Sequence, residues 1–317
     1  MQLRRLGGSG LEVSRIGLGT MTWGSAVDEF VADEQLRLFL DSGGTLVDTA
    51  PIYGDGRCEA LLGELIGTLG VRDRIVLAGK AGVTRRDGAI VTDGSLRSLM
   101  DQLDGSLADL GTDHLDLWQV HRWDDTVPVE ETMAALDQAV RSGRVRYAGI
   151  SNFSGWQTVA AYSAYDRLGG GVPLVSSQVE YSLAQRAAER EVVPALAHVG
   201  MSLIAWSPLG RGVLTGKYRH GVPRDSRGAD ERWEAFVEPY LDSTGTRIVD
   251  ALAAAADGLG SSTSHVALAW LRDQPHVASA VVGARTTAQL AESLTSEHLE
   301  LPQEIHAALT DVSEGAR

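Results

Sequence analysis

Gly44-Thr45-Leu46-Val47-Asp48-Thr49-Ala50-Pro51-Ile52-Tyr53-Gly54 runs from apolar residues into a carboxylate, then through a turn that ends on a phenol. Thr45 to Asp48 reads as a strand, and Pro51 and Gly54 stop it and open a loop, so Tyr53 hangs just past the strand end. Two later stretches repeat the pattern. Arg74-Ile75-Val76-Leu77-Ala78-Gly79-Lys80 is apolar until an ammonium appears, and His114-Leu115-Asp116-Leu117-Trp118-Gln119-Val120-His121 ends in an imidazole. A buried strand has no low-cost place for a lone charge. Each polar group comes at the C-terminal end of its strand.

Outward from these three, strand-like and helix-like stretches alternate. The strands are expected at 14–18, 45–48, 75–79, 115–120, 147–150, 175–179, 202–206 and 278–282. Amphipathic stretches at helical spacing fall at 29–40, 58–69, 96–110, 130–142, 155–168, 187–198, 247–259 and 287–294. A further helix at 261–273 precedes the last strand, and Pro302 precedes a final one through Leu309. Leu3 to Leu6 and Leu11 to Val13 flank Gly7-Gly8-Ser9-Gly10 as a β-hairpin ahead of the main fold. Strict βα alternation in eight units predicts an α/β fold, a (β/α)8 TIM barrel, in which catalytic groups sit at the C-terminal ends of strands. A barrel of about 250 residues plus insertions suits a 317-residue chain as one domain, residues 1–317. The connection from Ser207 to Asp242, after the seventh strand, far exceeds an ordinary βα loop and is expected to fold over a ligand.

Hydrophobic residues make up 44% and charged residues 22%, enough apolar mass for a large core. A net charge of −14 disfavours nucleic acid and anionic membrane as partners, since phosphate binding needs a positive patch. An anionic cofactor would instead need local Lys and Arg. Cys58 is the only cysteine, so no intramolecular disulfide forms, and it reads as a small buried helix residue. With no apolar run of roughly 18 residues and no signal-like N-terminus, the expected compartment is the cytoplasm.

Tyrosine loses its proton near pH 10, and a close cation lowers a pKa by about 1–3 pH units. Lys80 can be that cation, Asp48 its counter-ion, and His121 a hydrogen-bond partner for a substrate oxygen. Each residue alone has a plain structural explanation, as a turn former, a loop aromatic, a solvated charge or a core histidine. Jointly, in this order and at these strand ends, they spell a proton donor and its tuners. A metal-dependent barrel hydrolase is disfavoured, because the first strand carries no His-x-His pair and the chain has only eight histidines.

Other strand ends offer groups for a ligand. Ser151 and Asn152 follow one strand and Gln178 ends the next, and their amides and hydroxyl suit a carboxamide; the lesser alternative is that Asn152 caps the helix from Ser154. Trp206 either stacks on a planar ring or fills core. Ser207-Pro208-Leu209-Gly210-Arg211-Gly212 exposes backbone N–H groups as a pyrophosphate cradle would, with Arg211 either supplying charge or solvated. Val282-Gly283-Ala284-Arg285 flows from a strand into a helix N-terminus, an anion site where Arg285 can meet a 2′-phosphate. No Gly-x-Gly-x-x-Gly opens a βαβ unit.

Over essentially its full length the chain resembles the aldo-keto reductases. The resemblance rests on Leu18-Gly19-Thr20-Met21, on Val47-Asp48-Thr49-Ala50 with Tyr53-Gly54, on Lys80 and His121, and on Ser151-Asn152-Phe153 and Trp206-Ser207-Pro208-Leu209. It implies a catalytic tetrad of Asp48, Tyr53, Lys80 and His121, with the tyrosine donating a proton as hydride arrives from a reduced nicotinamide. It implies that Ser151, Asn152 and Gln178 hold the nicotinamide amide, and that Gly19, Thr20, Met21 and Asp48 lie beside the cofactor. In the branch of bacterial stress-type reductases and potassium-channel β-subunits, Lys217 and Arg227 are expected near the phosphates and Gln289 and Glu292 at the adenosine. Ser293 stands where that branch usually has Asn, and Gly283 where single-chain animal members have Lys. The implied cofactor is NADPH/NADP+, the implied substrate a small carbonyl compound, in a monomer or homo-oligomer. Met21, Trp23 and Trp123, with Trp233 and Tyr240 on the long loop, are candidates for the substrate pocket or for plain packing. The alternative is a nicotinamide-binding regulatory subunit with weak or vestigial reductase activity, against which the tetrad is complete.

Overall fold

The apolar runs become the staves of one barrel. A computed structural model describes every residue except Asp225, Arg232 and Arg317, and the backbone but not the side chain of Arg227. A hairpin of β1 (Leu3–Arg5) and β2 (Glu12–Ser14) comes first, then β3 (Ile16–Gly19), α1 (Glu29–Asp41), β4 (Leu46–Asp48), α2 (Cys58–Leu69) and β5 (Val76–Ala81). A second hairpin, β6 (Val83–Arg86) with β7 (Ala89–Thr92), precedes α3 (Leu96–Leu110) and β8 (Leu115–Val120). Then come α4 (Val129–Arg141), β9 (Val145–Ser151), α5 (Gly155–Asp166), β10 (Ser176–Glu180), α6 (Ala188–Val199) and β11 (Ser202–Trp206). The chain ends with α7 (Glu234–Val237), α8 (Ser243–Leu259), α9 (Thr263–Arg272), β12 (Val277–Val282), α10 (Thr287–Thr295) and α11 (Gln303–Val312).

The order β10-β11-β12-β3-β4-β5-β8-β9 closes on itself with parallel pairing throughout, a (β/α)8 barrel. Its N-terminal mouth is sealed by the first hairpin, whose Leu6 and Val13 are fully buried with Leu46, Ala78, Leu117 and Ile204. That apolar plug leaves the other end for polar groups.

Two departures from expectation have clear causes. The β6–β7 hairpin, largely exposed, is not among the expected strands, since its residues do not alternate between apolar and polar. Its signal was the dipeptide Asp87-Gly88, whose φ values of 49° and 82° are those a two-residue hairpin turn demands. Helix α8 begins a turn before the expected Arg247, although Ser243-Thr244-Gly245-Thr246 is a poor helix former. The Asp242 side chain caps it by accepting from the Gly245 N–H at 2.8 Å, and any Cβ at Gly245 would sit 2.0 Å from the Tyr240 carbonyl. Among the described residues no helix is long and apolar enough to cross a membrane.

Candidate active site

Asp48 closes β4 and Lys80 lies on β5, its neighbour in the barrel. Lys80 Nζ donates to Asp48 Oδ1 at 2.7 Å and Oδ2 at 2.6 Å, with the two residues 1% and 3% exposed. A buried ion pair persists only when its remaining hydrogen-bonding capacity is met. Here it is met: the ammonium also donates to the Thr49 carbonyl at 3.3 Å and to the Tyr53 hydroxyl at 3.2 Å. Gln178 Nε2 gives Asp48 Oδ1 a further donor at 2.8 Å.

Because Lys80 donates into the phenol oxygen, the Tyr53 proton must point elsewhere. The loop that presents the ring is over-determined. Tyr53 N–H closes a turn onto the Ala50 carbonyl at 3.0 Å, and Gly54, at φ 58°, approaches so closely that a Cβ would lie 2.1 Å from the Trp23 carbonyl. Burial raises the Tyr53 pKa above its ordinary value, and the opposing pull of Lys80 does not overcome it. This corrects the expectation of a lowered phenol pKa. In the free site the tyrosine keeps its proton. Burial would depress the Lys80 ammonium, but Asp48 and then Tyr53 reverse this and hold it above the usual lysine value.

His121 follows β8, its N–H on the Ala81 carbonyl at 2.7 Å, and its ring meets Tyr53 edge-on with centroids 6.0 Å apart. Burial, then Lys80 and Arg122, push its pKa down to about 3. The imidazole is therefore neutral at physiological pH, and its Nδ1 is buried without a partner among the described residues. All four strand-end groups gather at one mouth.

On the opposite wall, neutral groups interlock. Asn152 Nδ2 donates to the His121 carbonyl at 2.9 Å and to Ser151 Oγ at 3.0 Å, while Asn152 Oδ1 accepts from the Trp206 indole at 3.0 Å. Ser151 Oγ donates to the Gln178 carbonyl at 2.9 Å. Asn152 has φ 58°, a conformation asparagine tolerates better than most residues. It does not cap α5; Ser154 does, in a reciprocal box with Gln157. Gln178 turns its amide nitrogen toward Asp48.

The long loop is pinned, though differently from expectation. The Arg211 guanidinium, expected at a phosphate, grips Glu180 through Nε and Nη2 at 2.8 and 2.6 Å, donates to the Phe236 carbonyl at 2.6 Å and lies 3.7 Å from the Phe236 ring centroid. Glu180 also accepts from the Tyr240 hydroxyl at 2.9 Å, so one carboxylate at the end of β10 ties both halves of the loop. Tyr240 is buried there, and Trp233 packs on Phe236. The Lys217 ammonium remains by the turn, 3.1 Å from where a Cβ of Gly212 would stand. The Arg227 side chain lies outside the described residues.

Gly283 is exposed, and a Cβ there would find nothing nearer than the Gly19 carbonyl at 3.5 Å, leaving the turn into α10 open to an anion. Arg285 N–H donates to Gln289 Oε1 at 3.0 Å, and Glu292 is exposed beside them. Ser293 donates back to the Gln289 carbonyl at 3.0 Å, so its hydroxyl serves its own helix. The Gly210 and Gly212 N–H groups, expected to face a pyrophosphate, donate within their own turn to the Ser207 and Leu209 carbonyls, both at 2.9 Å. The cations Lys217 and Arg285 and the half-buried ring of Trp206 are of the kinds that a nicotinamide dinucleotide needs. Thr20 is buried against the Asp48 carbonyl, while Met21 is half-buried at the rim.

Trp23 is fully buried and its indole donates to Gln35 Oε1 at 2.9 Å, which places it in the core rather than on a pocket wall. Gln35, itself buried, donates to the Ala284 carbonyl at 3.2 Å and so braces the Gly283–Arg285 turn against the loop after β3. Trp123 is half-buried, packed edge-on against Phe153 and Trp156 at centroid distances of 5.1 and 5.3 Å, an aromatic ledge two residues past His121. Sequence reasoning missed Gln35 and Glu180. Both carried a readable sign: a polar residue on an apolar helix face, and a carboxylate just past the expected strand 175–179.

The aldo/keto reductase family model matches residues 15–314. An uncharacterized oxidoreductase of Bacillus subtilis, YrpG, is 35% identical over 99% of this chain and 97% of its own length. A probable voltage-gated potassium channel subunit beta of rice is 35% identical over 93% of this chain and 90% of its own. The aldo-keto reductase YhdN of Bacillus subtilis is 32% identical over 92% of this chain and 87% of its own. On the family match, and on relatives aligned across nearly the whole barrel, the chain belongs to the aldo/keto reductase family of oxidoreductases.

Proposed function

We propose that the protein reduces aldehydes or ketones to alcohols, reversibly, with NADPH as the reductant and Tyr53 as the proton donor. The observation that carries this reading is the Lys80 ammonium, fixed by both Asp48 oxygens and donating into the Tyr53 hydroxyl. When bound, the cofactor supplies hydride to the carbonyl carbon. Ser151, Asn152 and Gln178 would hold its carboxamide and Trp206 one face of its ring. The Ser207–Gly212 turn with Lys217 and Arg227 would meet the phosphates, and Arg285 with Gln289, Glu292 and Ser293 the adenosine end.

As negative charge grows on the carbonyl oxygen, Tyr53 releases its proton to that oxygen. Lys80 stabilises the phenolate left behind, which explains why a cation sits against a phenol whose resting pKa is raised. Asp48 holds the ammonium in place, and neutral His121 orients the carbonyl by hydrogen bonding. General acid help of this kind is worth about 10²–10⁴ in rate. The substrate is a small carbonyl compound with an apolar part, in keeping with the ledge of Trp123, Phe153 and Trp156. The reading sets this chemistry in the cytoplasm, in a monomer or homo-oligomer.

A second reading, a regulatory nicotinamide-binding subunit with vestigial turnover, is favoured by the relative named as a potassium channel subunit beta. NADPH oxidation across a panel of aromatic, aliphatic and dicarbonyl substrates separates the two. Turnover with at least one class supports the reductase; tight NADPH binding without oxidation across the panel supports the subunit.

A further inference from the structure

At the far end of the barrel from the tetrad, outside the apolar plug, lies a cavity of about 300 Å³. It is lined by Arg4 and Arg5 of β1, by Ser202, and by Gln274, His276 and the start of β12. Among the described residues no carboxylate lines it. In a chain of net charge −14, a cavity lined by two arginines and a histidine runs against the overall field.

The carboxylates nearby are already engaged by other arginines. Asp273 accepts from Arg272 Nε at 2.8 Å and Nη2 at 2.7 Å, and stands 4.0 Å from Arg4. Glu297 accepts from Arg15 Nη2 at 2.8 Å and Nε at 3.2 Å, and from the Gln2 N–H at 2.8 Å. Glu12 is in register with Arg5 across the hairpin, but it is exposed and makes no ion pair with Arg5 among the described residues.

Arg4 is also held in a fixed pose. Its Nη1 donates to the Arg272 and Val277 carbonyls, both at 2.6 Å, which anchors one edge of the fork. Burial first, and then the positive charge of Arg15, hold its pKa below the usual arginine value, with Asp273 acting in the opposite direction. Arg5, by contrast, is exposed at the cavity edge and can swing onto a ligand. The volume is at the low end of ligand pockets, about 300–1,000 Å³, and the lining is polar, which suits a compact and highly charged guest rather than an apolar one.

We propose that this cavity binds a small multivalent anion of phosphate or polycarboxylate type, held between Arg4 and Arg5 with Gln274, His276 and Ser202 as further hydrogen-bonding groups. The site stands apart from the oxidoreductase chemistry and does not depend on the cofactor reading.

Calorimetric titration of the intact chain with pyrophosphate, and separately with citrate, tests it. Arg5→Ala and His276→Ala report on the cavity, Arg285→Ala reports on the proposed cofactor phosphate site, and circular dichroism confirms that each variant is folded. Saturable binding that weakens roughly tenfold in Arg5→Ala, the loss expected for one charge-assisted contact, and is retained in Arg285→Ala supports the site. Binding lost in Arg285→Ala but kept in Arg5→Ala overturns it, as does the absence of saturable binding of either anion to the unmutated chain at low ionic strength.

Discussion

The two halves of the barrel wall build the active site in opposite ways. Strands β4, β5 and β8 deliver charge or titratable groups, Asp48, Lys80 and His121, with Tyr53 close behind. Strands β9, β10 and β11 deliver neutral groups, Ser151, Asn152, Gln178 and Trp206, that hydrogen-bond chiefly to one another. Besides the β8–β9 backbone ladder, two side-chain hydrogen bonds join these site groups across the halves among the described residues: Gln178 to Asp48 and Asn152 to the His121 carbonyl. On the proposed reading, the difference means that the charged half stores the reacting proton and the neutral half sets where a ligand ring would lie, with two amides keeping them in register.

The charged half should break first and hardest. Lys80→Met leaves the Asp48 carboxylate buried with Gln178 as its remaining side-chain donor, and removing one partner of a buried pair costs about 3–5 kcal/mol. Urea denaturation should show that loss, and turnover should vanish with it; unchanged stability would mean the pair is solvated. Outside both halves, in the turn after β12, Arg285→Ala should weaken NADPH by roughly tenfold or more, as for a charge-assisted hydrogen bond, and NADH much less. An equal loss for both cofactors would refute the 2′-phosphate role.

Gln178→Leu addresses the link itself. It strips a hydrogen bond from an ionised carboxylate, a contact worth about 1.5–3 kcal/mol. Both the kcat and the KM for cofactor should suffer, whereas a change in KM alone would assign Gln178 to the ligand only.

Acid stability sharpens the contrast further. The folded-state pKa of His121 is held at about 3 against 6.5 for the unstrained imidazole. The unfolded chain then binds the extra proton first, so stability falls as pH drops from about 6.5 toward 3. His121→Asn should flatten the melting-temperature profile in that window.

The smallest effect belongs to a carboxylate outside both halves. Glu59, on α2 and facing α3, accepts among the described residues from Ser106 at 2.8 Å, and burial raises its pKa from 4.5 to about 7. Its stabilising proton is fully present below pH 4.5 and lost as pH rises through 7, so Glu59→Gln should raise the melting temperature above pH 7 and leave it unchanged below 4.5.

The charged half was legible in the sequence because a carboxylate, an ammonium or an imidazole at the end of an apolar run has few structural explanations. The barrel was legible for a related reason: apolar runs and amphipathic stretches alternate, and Leu115–Val120 and Ser202–Trp206 form the strands their patterns predict. The neutral half was not legible as geometry. Ser, Asn and Gln satisfy one another in many ways, and nothing in their order says that Gln178 turns its amide to Asp48. Arg211 shows the same limit, since a guanidinium in a glycine-rich turn fits a phosphate as well as it fits Glu180. The choice fell to Phe236 and Tyr240, more than twenty residues along the loop.

The central claim is that Tyr53 gives the proton and that the rest of the constellation exists to let it. Tyr53→Phe keeps the ring and removes only the hydroxyl, so the most direct measurement is NADPH binding and NADPH oxidation on that one variant. The expected result is NADPH affinity like that of the unmutated chain, with oxidation in the presence of a turned-over carbonyl reduced by about 10² or more. Oxidation at the unmutated rate would contradict the account, because the proton would then come from somewhere else.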